Sequence, residues 1–262
     1  MTSSGEIYGI VVALLFAVAA GLVGSFALMK RMLLASDVIS HVALPGIALA
    51  FLFGFNPLLG GAATLFLGTL LIWRLQKKTG LATEAMIGVV FAASLAIGAA
   101  LTPQEDLTEA LFGRFQTLSF FAFLLGTAAV LSIIFVIWRF KDQFLLSLFS
   151  PELAAATSVR LDRLNLLFLL TFSLTVLVGL RFMGALLAGA LVIIPAATGR
   201  RLAGDVTHFL VSSCLVSVAA TGLGFLITGI ALPRLRPGPV VVIISALFFA
   251  LSLLKKTDRA TK

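Results

Sequence analysis

Long apolar runs separated by short polar stretches fill almost the whole chain. Nine can be traced: Tyr8–Met29, Asp37–Phe55, Leu58–Trp73, Ala85–Leu101, Thr117–Trp138, Leu164–Leu180, Phe182–Thr198, Val206–Leu232 and Pro237–Leu254. Most approach the ~20 residues an α-helix needs to cross about 30 Å of hydrocarbon, and a helix satisfies its own backbone there. The two runs flanking Arg181 are short and nearly contiguous, which leaves a partial span or a tight re-entrant hairpin open at that point. The pattern predicts an all-α polytopic membrane protein, one transmembrane domain over residues 1–262 built as a bundle of about eight to nine helices.

Composition agrees. Of 262 residues, 60% are hydrophobic and 11% charged, against about 25% charged in an ordinary globular domain. The formal net charge of +8 then becomes a question of which loops carry it. With the N-terminus outside, the inner segments receive Lys30, Arg31, Arg74, Lys77, Lys78, Arg139, Lys141, Arg160, Arg163, Arg200, Arg201, Lys255, Lys256, Arg259 and Lys262. Only Arg114, Arg181, Arg234 and Arg236 of the 19 basic residues fall outside. The positive-inside rule therefore selects N-out, C-in. The charge is mostly topology, and no nucleic-acid partner is expected from it.

Several chemistries are excluded. A lone cysteine, Cys214, allows no internal disulfide and no cysteine metal cluster. No Gly-Lys dipeptide and no HExxH occur, so neither a P-loop nor a zincin site is present. No Lys or Arg precedes the first apolar run, so the N-terminus does not read as a cleaved signal peptide. The chain reads as a non-enzyme without catalytic residues, and its energy must come from a gradient or a partner.

The segment SDVISHVALPG (36–46) carries the most chemistry. Asp37 and His41 stand four apart, which on a helix places their Cβ atoms about 5–6 Å from each other on one face. From Val38 to Trp73 there is no charged residue and no second histidine. A carboxylate facing lipid costs at least ~2.5 kcal/mol, so Asp37 should face protein or a water-filled path. Pro45 and Gly46 then interrupt the helix ladder. Two copies of the pair across a two-fold axis would offer two oxygens and two nitrogens to Zn²⁺ or Mn²⁺. The competing reading has Asp37 capping a helix in the headgroup zone and His41 packed as an ordinary side chain.

Two further stretches are informative. Residues 147–165 form an inner connection, with Ser150 and Pro151 as a helix start, Glu152 in the first turn, small Ala154 and Ala155, and Arg160 beyond. A plain connecting helix and a docking surface both fit. GALLAGALVIIPAATGRR (184–201) offers Gly184, Gly189 and Pro195 on a tightly packed helix, read as core packing or as a gate. His208 is read as an interface residue near the inner boundary.

Taken together, KRMLLASDVISHVALPGIALAF (30–51), EALFGRF (109–115), SPELAAATSVRLDRL (150–164) and GALLAGALVIIPAATGRR (184–201) resemble the permease subunits of zinc/manganese ABC importers, over nearly the whole length. That resemblance implies a bacterial plasma or inner membrane location, a second permease copy (a homodimer) surrounded by membrane lipid, two separate ATP-binding subunits inside, and an extracytoplasmic metal-binding protein delivering the ion. Zinc or manganese is the implied cargo, with iron also open, and no cofactor is held permanently. Asp37 and His41 match the family's intramembrane metal positions, and residues 150–164 match its coupling segment, with Ser158 where a glycine is common. The rival readings are a gradient-driven secondary cation transporter and, more remotely, an intramembrane hydrolase.

Overall fold

An α-helix that is apolar on every side has no solvent face and belongs inside a bundle. Helix α1 (Ser4–Met29) is such a helix: Val12, Ala13, Phe16, Ala17, Ala20, Val23, Phe26 and Ala27 are completely buried in the computed structural model. The structure describes residues 4–33, 35–101, 118–156, 160–230, 235 and 237–254. The expectations placed on 102–117, on Ser158, on Arg234 and Arg236 and on the basic tail from Lys255 lie outside them.

After α1 come α2 (Ala35–Ser40), a 3₁₀ turn (His41–Ala43) and α3 (Leu44–Phe53), then α4 (Pro57–Thr79), α5 (Thr83–Leu101), α6 (Phe120–Phe149), α7 (Pro151–Ala156), α8 (Leu161–Phe182), α9 (Ala185–Leu202), α10 (Val206–Ile230) and α11 (Pro237–Leu254). Helix α1 packs against α6, α8, α9 and α10, and α11 closes on α9 and α10. The broken helix α2–α3 lies with α4 and α5. Helix α8 joins the two groups, touching α1, α2, α4, α6 and α9.

Eight of these segments are long and apolar enough to cross a membrane, α2 to α3 counting as one. Helix α9 is not among the eight, and its last turn carries Arg200 and Arg201. The N-out, C-in expectation requires an odd number of crossings, and α9, 18 residues long, is the segment left to make the ninth. The pair around Arg181 is thereby resolved: α8 runs 22 residues to Phe182, and the chain turns through Met183 and Gly184, whose φ of 85° suits a residue without Cβ.

Two apolar runs end before their helices do. Helix α4 continues past Trp73 to Thr79 with Lys77 and Lys78 in its last turn, a favourable place for cations. Helix α6 continues past Trp138 for 30 residues in all, about 45 Å at 1.5 Å per residue and longer than the hydrocarbon is thick. Contacts gather the basic ends together. Lys30 Nζ donates to Asn165 Oδ1 at 3.2 Å, Lys77 Nζ meets Asp162 Oδ2 at 2.9 Å, and Arg201 Nε donates to the Ser252 carbonyl at 3.5 Å. At the opposite end Leu118 N–H donates to the Gly5 carbonyl, and Tyr8 stacks on Phe123 with centroids 4.7 Å apart.

Between helices in lipid there is little hydrophobic drive, so close approach and hydrogen bonds hold the bundle. Glycines mark the crossings. A Cβ on Gly24 would run into the Val192 carbonyl of α9, one on Gly21 would press on the backbone at Cys214 of α10, and one on Gly179 would strike Ala188. Buried hydroxyls return their protons to the carbonyl four residues back, as Ser25 does to Gly21, Thr175 to Thr171 and Thr221 to Ser217. This is how hydroxyls are carried where water is absent.

Lys30 caps the basic end of α1, its ammonium 4.9 Å from the centroid of the Phe168 ring. Burial lowers its pKa from 10.5 to about 8. Between those two values the unfolded chain binds more protons at this group than the folded one, so folding stability rises with pH over that window. Comparing wild-type and Lys30→Met thermal unfolding from pH 7.5 to 10 should show the rise in the wild type and its loss in the variant.

Candidate metal pathway

The helix break follows from Pro45. Without an N–H at that position, the His41 carbonyl cannot complete an α-helical bond, and the Leu44 N–H closes on it instead in a tighter turn. The break is packed at backbone distance. A Cβ on Gly46 would run into the Gly60 carbonyl of α4, and a Cβ on Gly60 would run into the Gly46 carbonyl. Gly98 of α5 lies against Leu44, and Gly68 of α4 lies against Val42. The Thr64 hydroxyl stands within reach of the Ala43 carbonyl at 3.3 Å and of the Gly60 and Gly61 carbonyls at 3.2 Å, beside the disturbed turn.

These contacts also set the depth. Gly68 is the middle residue of the 23-residue α4, about 16 Å from either helix end. Val42, next to His41, packs there, which sets the histidine beside the middle turn of α4. His41 is half-buried and its ring tilts against Phe91, centroids 5.7 Å apart. Asp37 lies one turn nearer the basic end, and the Ser40 hydroxyl donates to its backbone carbonyl at 2.6 Å. Its side chain is exposed on the flank of the single chain.

Gly189 of α9 is buried, yet among the described residues a Cβ placed on it would meet within 4 Å only one atom, the Asp37 Cβ at 4.0 Å. Space beside the carboxylate is therefore left open by the missing side chain. Gly184 and Pro195 serve α9 differently: the first begins the helix with a positive φ, and the second sits buried inside it. Pro45 and Gly46 are both buried at the break.

At the basic end, Ser150 terminates α6 and the Ala154 N–H returns to its carbonyl at 3.0 Å. Helix α7 then packs on α6 and α8 with Ala154 fully buried, while Glu152 and Leu153 are exposed next to the exposed Phe149. Pro151 opens α7, Ala155 lies in its last turn, and exposed Arg160 flanks α8. His208, in the connection read as an interface, pairs with Asp205: Nδ1 stands 2.8 Å from Oδ2, and the His208 N–H donates to Oδ1 at 2.7 Å. That backbone bond, with the side-chain one, holds the Asp205 carboxyl below its ordinary range.

The structure thus brings Asp37 together with Gly189, and Gly46 with the α4 glycines. Residues 150–156 and Arg160 lie at the basic end. The sequence reading missed Gly60, Gly68 and Thr64 as the seat of the break. Their signal was the small-residue spacing Gly60, Gly61, Thr64, Gly68 along one face of α4, which periodicity alone cannot pair with a partner helix.

Among known families, the model described as the ABC 3 transport family matches residues 7–256. The manganese import system permease protein ScaB of Streptococcus gordonii is 29% identical over 93% of this chain and 88% of its own length. The high-affinity zinc uptake system membrane protein ZnuB of Haemophilus influenzae is 29% identical over 89% of this chain and 90% of its own. Among solved structures, PsaBC from Streptococcus pneumoniae in complex with Fab superposes with a TM-score of 0.79 at 25% identity, covering 96% of this chain and 92% of that one.

Proposed function

Because the chain belongs to the ABC 3 transport family, we propose that it is the membrane permease of an importer for a divalent transition metal ion, powered by two separate ATP-binding subunits and loaded by an extracytoplasmic metal-binding protein. The observation that carries the reading is Asp37: a carboxylate one turn from a helix break at mid-bundle, exposed on the flank of the single chain, beside space kept open by Gly189. A carboxylate there is costly against lipid, so something other than lipid covers it. A second permease copy meets that need.

Among the described residues, no group of three His, Cys, Asp or Glu could hold a metal ion. One chain then offers Asp37 oxygen and His41 nitrogen, and two chains offer both twice. That mixed set suits zinc or manganese and leaves iron open. Two ligands per copy also favour passage, because the copies separating by a small distance opens the site.

Coupling is assigned to residues 147–165. Helix α7 presents Glu152 and Leu153 at the basic end next to Phe149 at the end of α6, a mixed apolar and acidic face suited to a protein partner, with Arg160 beside it. Ala154 is fully buried where α7 packs on α6 and α8. In liposomes, Zn²⁺ or Mn²⁺ uptake is expected only when the ATP-binding subunits and ATP are both present. Uptake by this chain alone under an imposed ion gradient would overturn the reading in favour of a secondary cation transporter.

A further inference from the structure

We propose that α4 and α8 form one rigid strut that carries the motion of α7 to the helix break at Asp37–His41, with Thr69 and Ser173 as its positioning residues inside the membrane. The inference rests on the reading of α7 as the contact for the ATP-binding subunits.

The two helices are laced in a single antiparallel line. From the basic end inward, Lys77 Nζ meets Asp162 Oδ2 at 2.9 Å, Trp73 Nε1 donates to the Asp162 carbonyl at 2.9 Å, and Asn165 Nδ2 donates to Gln76 Oε1 at 2.9 Å. Deeper still, the Thr69 and Ser173 hydroxyl oxygens stand 2.5 Å apart, and both residues are buried. The Thr69 hydroxyl also reaches the Leu65 carbonyl at 2.8 Å, and either hydroxyl can donate in the bond between the helices. The contacts pass from solvent at one end to hydrocarbon at the other. A sliding motion would break the inner one where no water can replace it.

Each end of the strut meets a functional element. Helix α8 starts shortly after α7 and touches it. Helix α4 meets α3 through Gly60 on Gly46, and meets Val42 through Gly68. The Gly60–Gly46 contact is backbone on backbone, with no side-chain rotamer to absorb a displacement, and the Gly68 contact is with the β-branched Val42 side chain. Movement of α4 is therefore passed to the break, rather than taken up by repacking.

The test uses the permease assembled with its ATP-binding subunits in liposomes, in a Cys214→Ala background, reading ATP hydrolysis and Zn²⁺ or Mn²⁺ uptake together. Thr69→Cys/Ser173→Cys should close a disulfide, and the oxidised protein should import as well as the reduced one, because the joined helices already move together. Uptake lost on oxidation and regained on reduction would overturn the strut. Thr69→Val/Ser173→Ala removes both hydroxyls and should keep hydrolysis while metal imported per ATP falls about tenfold, with the Thr69→Ser/Ser173→Thr exchange restoring it. An unchanged ratio overturns the proposal; if this variant does not fold, the disulfide arm decides. A wild-type assembly without ATP-driven uptake would instead remove the functional reading itself.

Discussion

Gly46→Val is expected to be severely destabilised, unfolding well below the wild type. Its Cβ would run into the Gly60 carbonyl, and Gly60 presents the same conflict in return. Relief requires α3 and α4 to separate along the segment where Gly61 and Gly68 also meet Ile47 and Val42. Overpacking costs about 1–3 kcal/mol where side chains can shift, and here backbone must move, so about 3 kcal/mol or more is expected. Against a total stability on the order of 5–15 kcal/mol, that is a large fraction. Thermal unfolding of the purified protein in detergent reads the effect. Gly88→Ala is the control, since a Cβ there meets open space and a helical alanine should leave stability unchanged or raise it by up to about 1 kcal/mol.

The second large effect is functional. Asp37→Asn keeps the shape of the side chain and removes its charge, and His41→Ala removes the imidazole. Each should lower ATP-driven Zn²⁺ or Mn²⁺ uptake at limiting metal by roughly 100-fold, the upper range for lesser changes around a metal site. Thermal stability should hold or rise for Asp37→Asn, because a carboxylate at this depth is costly. Loss of transport with stability retained separates a ligand from a packing residue. Normal uptake by Asp37→Ala/His41→Ala would sink the ligand assignment.

Helix number was legible within one because each crossing must be a continuous apolar run, and such runs stand out in a chain with 11% charged residues. Where those runs ended was less legible. Helix α6 runs through Arg139 and Lys141 to Phe149, since a helix leaving the bilayer need not stop where hydropathy does. The Asp37/His41 pair was visible because ionisable residues are scarce within these runs. What the sequence could not supply was the neighbour of the pair, Val42 against Gly68 at mid-α4.

By itself, then, the sequence pointed to a polytopic helical bundle, an orientation expected from the distribution of basic residues, the helix break at Pro45 and the Asp37/His41 pair that carries the metal proposal. All of these are local: hydropathy, charge and a missing N–H act within one segment. Only the tertiary structure decided that Gly60 receives Gly46, that Gly189 leaves space beside Asp37, and that the Ser173 and Thr69 hydroxyls bond to each other. Such facts depend on which helix faces which. In a bilayer that choice is made by close packing and by a few hydrogen bonds between distant segments, which leave little periodic trace along the chain.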